Sequence, residues 1–208
     1  MRIILADDHV LFREGLKLLL TSKPDMYVVA EIDNLSRVIE AVAVHDADLL
    51  ILDYHMPGGE SSAILSYCKQ RYENLKVIAL TGSKSGLILK QLQDANADAV
   101  LLKDSSAEEL LTAIAQVSCG KKFISDSVQE HISKAQIDLT SRELQILQLI
   151  YQGISTTDIA QQLNLSPKTA DKHRENIMRK LQVNNAVQLI HKVQQLQLLS
   201  HSDSRNYS

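Results

Sequence analysis

Leu49-Leu50-Ile51-Leu52-Asp53-Tyr54-His55-Met56-Pro57-Gly58-Gly59 is the stretch that decides the fold. Four consecutive apolar residues, ended by an aspartate and then by Pro-Gly-Gly, suit a strand that is buried on both faces of a parallel sheet and runs into a loop. In open α/β sheets the crevice beyond the carboxyl ends of the strands is where ligands bind, so Asp53 stands in a position for chemistry and not for packing.

Comparable runs recur at Arg2 to Ala6, Tyr27 to Glu31, Val77 to Leu80 and Ala99 to Leu102, with segments of helical spacing between them. Strand and helix in alternation mean a parallel sheet. The helical stripes are Leu11, Gly15, Leu18 and Leu19; Leu35, Val38, Ile39 and Val42; Ile64, Leu65 and Cys68; Ile88, Leu89 and Leu92; and Leu110, Leu111 and Ile114. Five such units close a domain near residue 118, expected as a flavodoxin-like, doubly wound, five-stranded sheet of order 2-1-3-4-5. Residues 119–137, polar and containing Gly120-Lys121-Lys122, read as a linker.

From Leu139 onward the strand pattern stops. Thr140 three residues before Glu143 is a capping-box spacing, Ser155 and Asp158 repeat it, and Ser166 with Pro167 behind it opens a third helix. Gly153 and Asn164-Leu165 mark the turns, and a fourth helix carries Val187, Leu189, Ile190, Val193 and Leu196. Residues 138–200 are therefore expected to form a small all-α domain of four helices, and 201–208 a disordered tail.

The 208 residues suffice for two cores. No apolar run approaches the roughly 20 residues of a membrane helix, and Met1 to Ala6 runs into Asp7-Asp8 too soon for a secretory signal, so a cytoplasmic protein is expected. Cys68 and Cys119 sit in helical patterns without a second ligand nearby, which argues for reduced thiols and against a metal or disulfide framework. Through Lys122 there are 13 Lys and Arg against 17 Asp and Glu, whereas 138–200 has 7 against 5, so the second half is the one that tolerates a polyanion.

In the expected sheet the first and third strands are neighbours, which brings Asp7, Asp8 and Asp53 together. Carboxylates so close repel unless a cation joins them, and Mg²⁺ suits hard oxygen ligands beside a phosphate. Thr81 and Lys103 end the fourth and fifth strands and would add a hydroxyl and an ammonium for a phosphoryl group.

The acidic pair, the Asp53-x-x-Met56-Pro57 run, Thr81 and Lys103 together resemble the receiver domain of bacterial two-component response regulators. The resemblance implies that Asp53 accepts a phosphoryl group from a sensor histidine kinase, with Asp8 and Asp53 binding Mg²⁺ directly, Asp7 through water and His55 through its backbone carbonyl. Thr81 and Lys103 would bind the phosphoryl oxygens. One departure is Val100, which stands where receivers usually carry an aromatic residue, and Ala99 replaces a common Gly. This leaves open a phosphorylation-independent regulator with a degenerate switch. An aspartyl-phosphate hydrolase is disfavoured, because His55 occupies the place of that family's second Asp.

The second half, from Leu139-Thr140-Ser141-Arg142-Glu143 through Ile159-Ala160, Leu165-Ser166, Lys168-Thr169 and Asn176-Ile177 to Lys180-Leu181, resembles the LuxR-type helix-turn-helix of NarL/FixJ regulators. The resemblance implies a transcription regulator, not an enzyme, that binds double-stranded DNA as a homodimer, with RNA polymerase a further expected partner. Thr156, Thr157, Ser166, Lys168, Thr169, Arg174, Arg179 and Lys180 are placed near phosphates, and Asp171, Lys172 and Glu175 near base edges. Thr156-Thr157 replaces a usual Asn-Lys, Ala170 a Val and Ala186 an Arg. A missing Lys and two carboxylates on the reading face weaken nonspecific affinity, which dimerisation through Val187, Ile190 and Val193 would offset.

Overall fold

Each of the five expected runs is a strand in a computed structural model of the chain, which describes residues 1–134, 139–195 and 198–199. The strands are β1 (Arg2–Ala6), β2 (Tyr27–Ile32), β3 (Leu49–Asp53), β4 (Lys76–Thr81) and β5 (Ala99–Leu102). Between and after them run α1 (Val10–Thr21), α2 (Val38–His45), α3 (Ser61–Arg71), α4 (Gly86–Asp94) and α5 (Ala107–Ser118). The chain divides into two compact units, the first of residues 1–84 and 89–130 and the second of residues 85–88 and those from His131 on.

The sheet is parallel throughout and has six strands in the order β2-β1-β3-β4-β5-β6. The expected five keep their order. The sixth, β6 (Phe123–Ile124), pairs with β5 inside the stretch expected to be a linker, and α6 (Asp126–Lys134) follows it. Residues 119–137 are thus not a featureless connection: Phe123 pairs with Ala99 and Ile124 with Val100, so the stretch is drawn in by the open edge of β5. Residues 135–138 and the expected tail 201–208 lie outside the described residues.

Because the strands are covered on both faces, their side chains split into two sets with period two. Ile3, Leu5, Leu49, Ile51, Ile78, Leu80, Ala99 and Leu101 pack with Leu16 and Leu20 of α1 and Leu110, Ala113, Ile114 and Val117 of α5. Ile4, Leu50, Leu52, Ala79, Thr81 and Val100 take the opposite face and are buried there. Cys68 is buried in α3, and burial pushes its thiol up to about 11. No described helix is long and apolar enough to cross a membrane.

The second unit contains α7 (Ser141–Tyr151), α8 (Thr156–Gln162), α9 (Pro167–Leu181) and α10 (Ala186–Gln195). Their ends follow the local chemistry. Thr140 and Glu143 form the full capping box, Ser155 caps α8 and Ser166 caps α9 ahead of Pro167. At the end of α7, Gly153 takes φ +83° while its N–H reaches Ile150 O and that of Ile154 reaches Leu149 O, the six-to-one and five-to-two closure for which glycine is favoured. Leu144, Leu147, Ile159, Ala160, Ala170, Ile177 and Leu181 form the core as expected, while Leu163 is half-buried. On α10, Val187 and Ile190 are exposed, but Val193 is buried and belongs to the core, not to an outward stripe.

Glu143 does more than cap. Its carboxylate, only 4% exposed, accepts from Thr140 N–H at 2.9 Å and from Lys180 Nζ at 2.6 Å, tying the start of α7 to the end of α9. Burial alone works to raise this carboxyl, yet the hydrogen bonds from Lys180 and Thr140 outweigh it and hold the group below the ordinary glutamate range. A depressed carboxyl contributes stability above its unfolded value of about 4.3 and loses it as pH falls through the folded value. Lys180→Met is expected to destabilise this unit by on the order of 2 kcal/mol at pH 7, measured by amide exchange of α7 and α9, with the difference from wild type shrinking below about pH 4.

Candidate functional site

The carboxyl edge of the sheet collects the acidic groups because the ladder extends one bond past the strands. Asp7 N–H donates to Ile32 O at 2.9 Å, Tyr54 N–H to Leu80 O at 2.8 Å and Lys103 N–H to Thr81 O at 2.8 Å. The side chains at these exits are therefore held by backbone. Asp7 and Asp53 are 2% and 1% exposed, and Lys103 Nζ stands 2.8 Å from Asp7 Oδ2 and 2.7 Å from Asp53 Oδ2. His55 N–H donates to Asp53 Oδ1 at 3.1 Å, and Ser61 Oγ donates to Asp53 O at 3.1 Å and to Tyr54 O at 2.6 Å.

One ammonium facing two buried carboxylates leaves Asp53 short of compensation. Burial is the main reason its carboxyl lies above the ordinary range; Lys103 opposes this and Asp7 adds to it. The ligand atoms of Asp7, Asp8, His9 and Asp53 all lie within 4.8 Å of one another, and Asp8 Oδ1 is buried without a hydrogen bond from any described residue. A set of carboxylate oxygens with an unsatisfied buried lone pair fits a hard divalent cation.

Asp7, Asp8, Asp53 and Lys103 thus come together as expected. Thr81 is fully buried at the end of β4 on the opposite face from Leu80, and its Oγ1 accepts from Ser83 N–H at 3.0 Å. His55 meets Asp53 through its amide. His9, which was not among the expected site residues, stands inside the cluster: its Nδ1 is 2.9 Å from Asp8 Oδ1 and 3.3 Å from Lys103 Nζ. The Asp-Asp-His triplet was the available signal. Tyr54 was also missed. It is nearly buried, and its hydroxyl donates to Gln91 Oε1 at 3.1 Å.

In the second unit, Lys168, Asp171, Lys172, Glu175 and Arg179 share one exposed face of α9, opposite buried Ala170, Ile177 and Leu181. Lys172 Nζ lies 3.8 Å from Glu175 and Arg179 reaches Asn176 Oδ1 at 3.3 Å. Ser166 and Thr169 are at the N-terminus of α9, where the Ser166 side chain accepts from Thr169 N–H. Thr156 and Thr157 open α8; Thr157 is exposed, and Thr156 Oγ1 accepts from half-buried Arg174 at 3.3 Å. The Lys180 ammonium, at the end of α9, is paired with Glu143 Oε2 at 2.6 Å.

Comparison with known proteins agrees with both halves. The model of the response regulator receiver domain matches residues 3–115, and that of the bacterial regulatory proteins of the luxR family matches 138–193. The chain is 32% identical over 207 residues to the oxygen regulatory protein NreC of Staphylococcus epidermidis, covering 91% of this chain and 95% of that protein. It is 34% identical over 195 residues to the nitrate/nitrite response regulator protein NarP of Escherichia coli, covering 89% and 91%. Among solved structures, RcsB from Salmonella enterica serovar Typhimurium, bound to promoter rprA in the presence of the phosphomimetic BeF3⁻, matches with TM-score 0.78 at 29% identity. That match covers 93% of this chain and 98% of that one. Sheet, acidic edge and helical unit define a receiver followed by a helix-turn-helix domain, the architecture of a response regulator. The chain belongs to the NarL/FixJ family of these regulators.

The shortage of positive charge at the edge has a measurable sign. Lys103→Met leaves two buried carboxylates without their counter-ion and is expected to destabilise the receiver by on the order of 3 kcal/mol in EDTA-containing buffer at pH 7. Asp53→Asn is expected to stabilise it. A carboxyl raised above its unfolded value gives stability that is lost as pH rises from about 3.9 through the folded value, so thermal melts followed by circular dichroism should show that loss in wild type and not in Asp53→Asn.

Proposed function

We propose that this chain is a cytoplasmic, DNA-binding response regulator that takes a phosphoryl group on Asp53 from a sensor histidine kinase and, as a homodimer, adjusts transcription. The observation that supports this reading best is the placement of Asp53, buried beside Asp7 and Asp8 and within reach of Lys103 at the carboxyl edge of the sheet. An Asp53 carboxylate oxygen attacks the phosphorus of a phosphohistidine. The P–N bond breaks, and the imidazole leaves with the electron pair and takes up a proton. Asp8 and Asp53 would hold Mg²⁺ directly, Asp7 through water and His55 through its backbone carbonyl, and the ion when bound neutralises charge on carboxylate and phosphoryl oxygens. The Lys103 ammonium then has a phosphoryl oxygen to pair with in place of a bare carboxylate, and the Thr81 hydroxyl serves a second one.

For DNA, the exposed face of α9 is the natural reading element of a helix-turn-helix, with its capped N-terminus toward phosphate. Its Lys168, Lys172 and Arg179 supply charge near phosphates and bases, Asp171 and Glu175 accept from exposed base amino groups, and Thr156, Thr157, Ser166, Thr169 and Arg174 border the same helix–turn corner. The RcsB structure to which this chain is similar is bound to promoter rprA. Exposed Val187 and Ile190 on α10 offer a surface for a second copy. RNA polymerase is the machinery whose access such binding would change. Val100, buried and aliphatic where an aromatic residue is usual, favours a second reading in which DNA binding does not depend on phosphorylation.

Asp53→Asn is expected to abolish labelling by acetyl phosphate in the presence of Mg²⁺, and Asp8→Ala to reduce it at least tenfold. A base-labile adduct persisting in Asp53→Asn would move the phosphoacceptor elsewhere. DNA affinity measured with and without BeF3⁻ separates the two readings. For the reading helix, Glu175→Ala is expected to change base preference at one or two positions of each half-site by about 1–3 kcal/mol per contact, seen by binding-site selection. A uniform gain on all sequences would mean that Glu175 only repels the backbone.

A further inference from the structure

Val100 lies on the same sheet face as Ala79 and Thr81, since Ala79 pairs with Val100 and Thr81 is two residues on. An aliphatic side chain of that size has no polar end with which to pass a change at Thr81 outward. The neighbouring strand does. Tyr54 follows Asp53 directly, its N–H continues the ladder to Leu80 O, and alternation from Leu50 and Leu52 puts its side chain on the face of Thr81 and Val100.

The Tyr54 ring stands edge-on to that of His55, with centroids 4.7 Å apart, and the amide of His55 is the one that donates to Asp53 Oδ1. At its far end the Tyr54 hydroxyl donates to Gln91 Oε1 of α4 at 3.1 Å. Gln91 Nε2 in turn donates to Ser62 Oγ at 2.9 Å and to Glu60 Oε1 at 3.3 Å, and Ser62 Oγ donates to Glu60. Tyr54, Ser62 and Gln91 are all within a few per cent of full burial. A buried polar network has few alternative arrangements, because each lost bond leaves a desolvated partner.

We infer that Tyr54 and Gln91 are the positioning pair through which the phosphorylation state of Asp53 reaches α4. This rests on Asp53 being the phosphoacceptor. When Asp53 is esterified, the oxygen that accepts from His55 N–H becomes part of an acyl phosphate and a weaker acceptor. The loop at residues 54–56 then adjusts, and the hydroxyl of Tyr54 carries the adjustment to Gln91 and to the start of α3. The amide of Gln91 is a two-ended connector, so α3 and α4 respond together.

The test is amide hydrogen exchange of residues 89–94 in the full chain with Mg²⁺ alone and with Mg²⁺ plus BeF3⁻, alongside acetyl phosphate labelling. Wild type is expected to change exchange in this segment by about fivefold or more on adding BeF3⁻. Tyr54→Phe, which removes only the hydroxyl, should label normally yet lose this response, and Gln91→Met should do the same. A purely structural role would shift exchange equally in both states and leave the response intact. A response of wild-type size in both variants overturns the inference. Absence of labelling in wild type overturns the phosphoacceptor reading, and the inference with it.

Discussion

One ammonium held between two buried carboxylates governs the sheet edge. Asp7 and Asp53 are both buried and share the single ammonium of Lys103, so burial of Asp53 is only partly compensated. Everything that positions the three groups is backbone: the parallel register of β1, β3, β4 and β5 and the single ladder bonds that continue beyond their ends. The packed core thus holds an arrangement that the side chains on their own would disperse. Such electrostatic shortage is what a cation or an incoming phosphoryl group relieves, so the same feature that weakens the fold makes the site receptive.

The helical unit treats its buried carboxylate the opposite way. Glu143 accepts on its Oε2 from the amide and hydroxyl of Thr140 and from Lys180. Closing α7 onto α9 in this manner consumes a cation at the end of α9 but leaves the face from Lys168 to Arg179 in solvent. Two carboxylates among three cations on that face give it little net attraction for phosphate, so selectivity falls on which base groups Asp171 and Glu175 accept. Lys172 paired along the helix with Glu175 moderates both.

Much of the architecture is legible in local chemistry. Strands covered on both faces must be continuous apolar runs, which is why Leu49 to Leu52 identifies β3 and why the five-strand order holds. Caps are equally local: Thr140, Ser155 and Ser166 sit three residues before the amides they satisfy. Phe123–Ile124 escaped notice because two residues carry no period, and their strand character comes from the edge of β5. The Lys180 pairing with Glu143 was illegible for a related reason, since a lysine near the end of an exposed helix carries no local sign of a carboxylate 37 residues away in sequence.

The sequence by itself determined the parallel sheet, the acidic edge with Asp53, Thr81 and Lys103 at strand ends, and the helix-turn-helix with its caps, because alternation, capping and strand-end placement are properties of short windows. Only the tertiary structure decided that His9 joins the acidic cluster, that Lys103 spans both Asp7 and Asp53, that Tyr54 reaches Gln91, and that Glu143 holds Lys180. These are contacts between side chains on different elements. Their partners are chosen by sheet register and helix packing, which bring together residues whose local sequences contain no trace of each other.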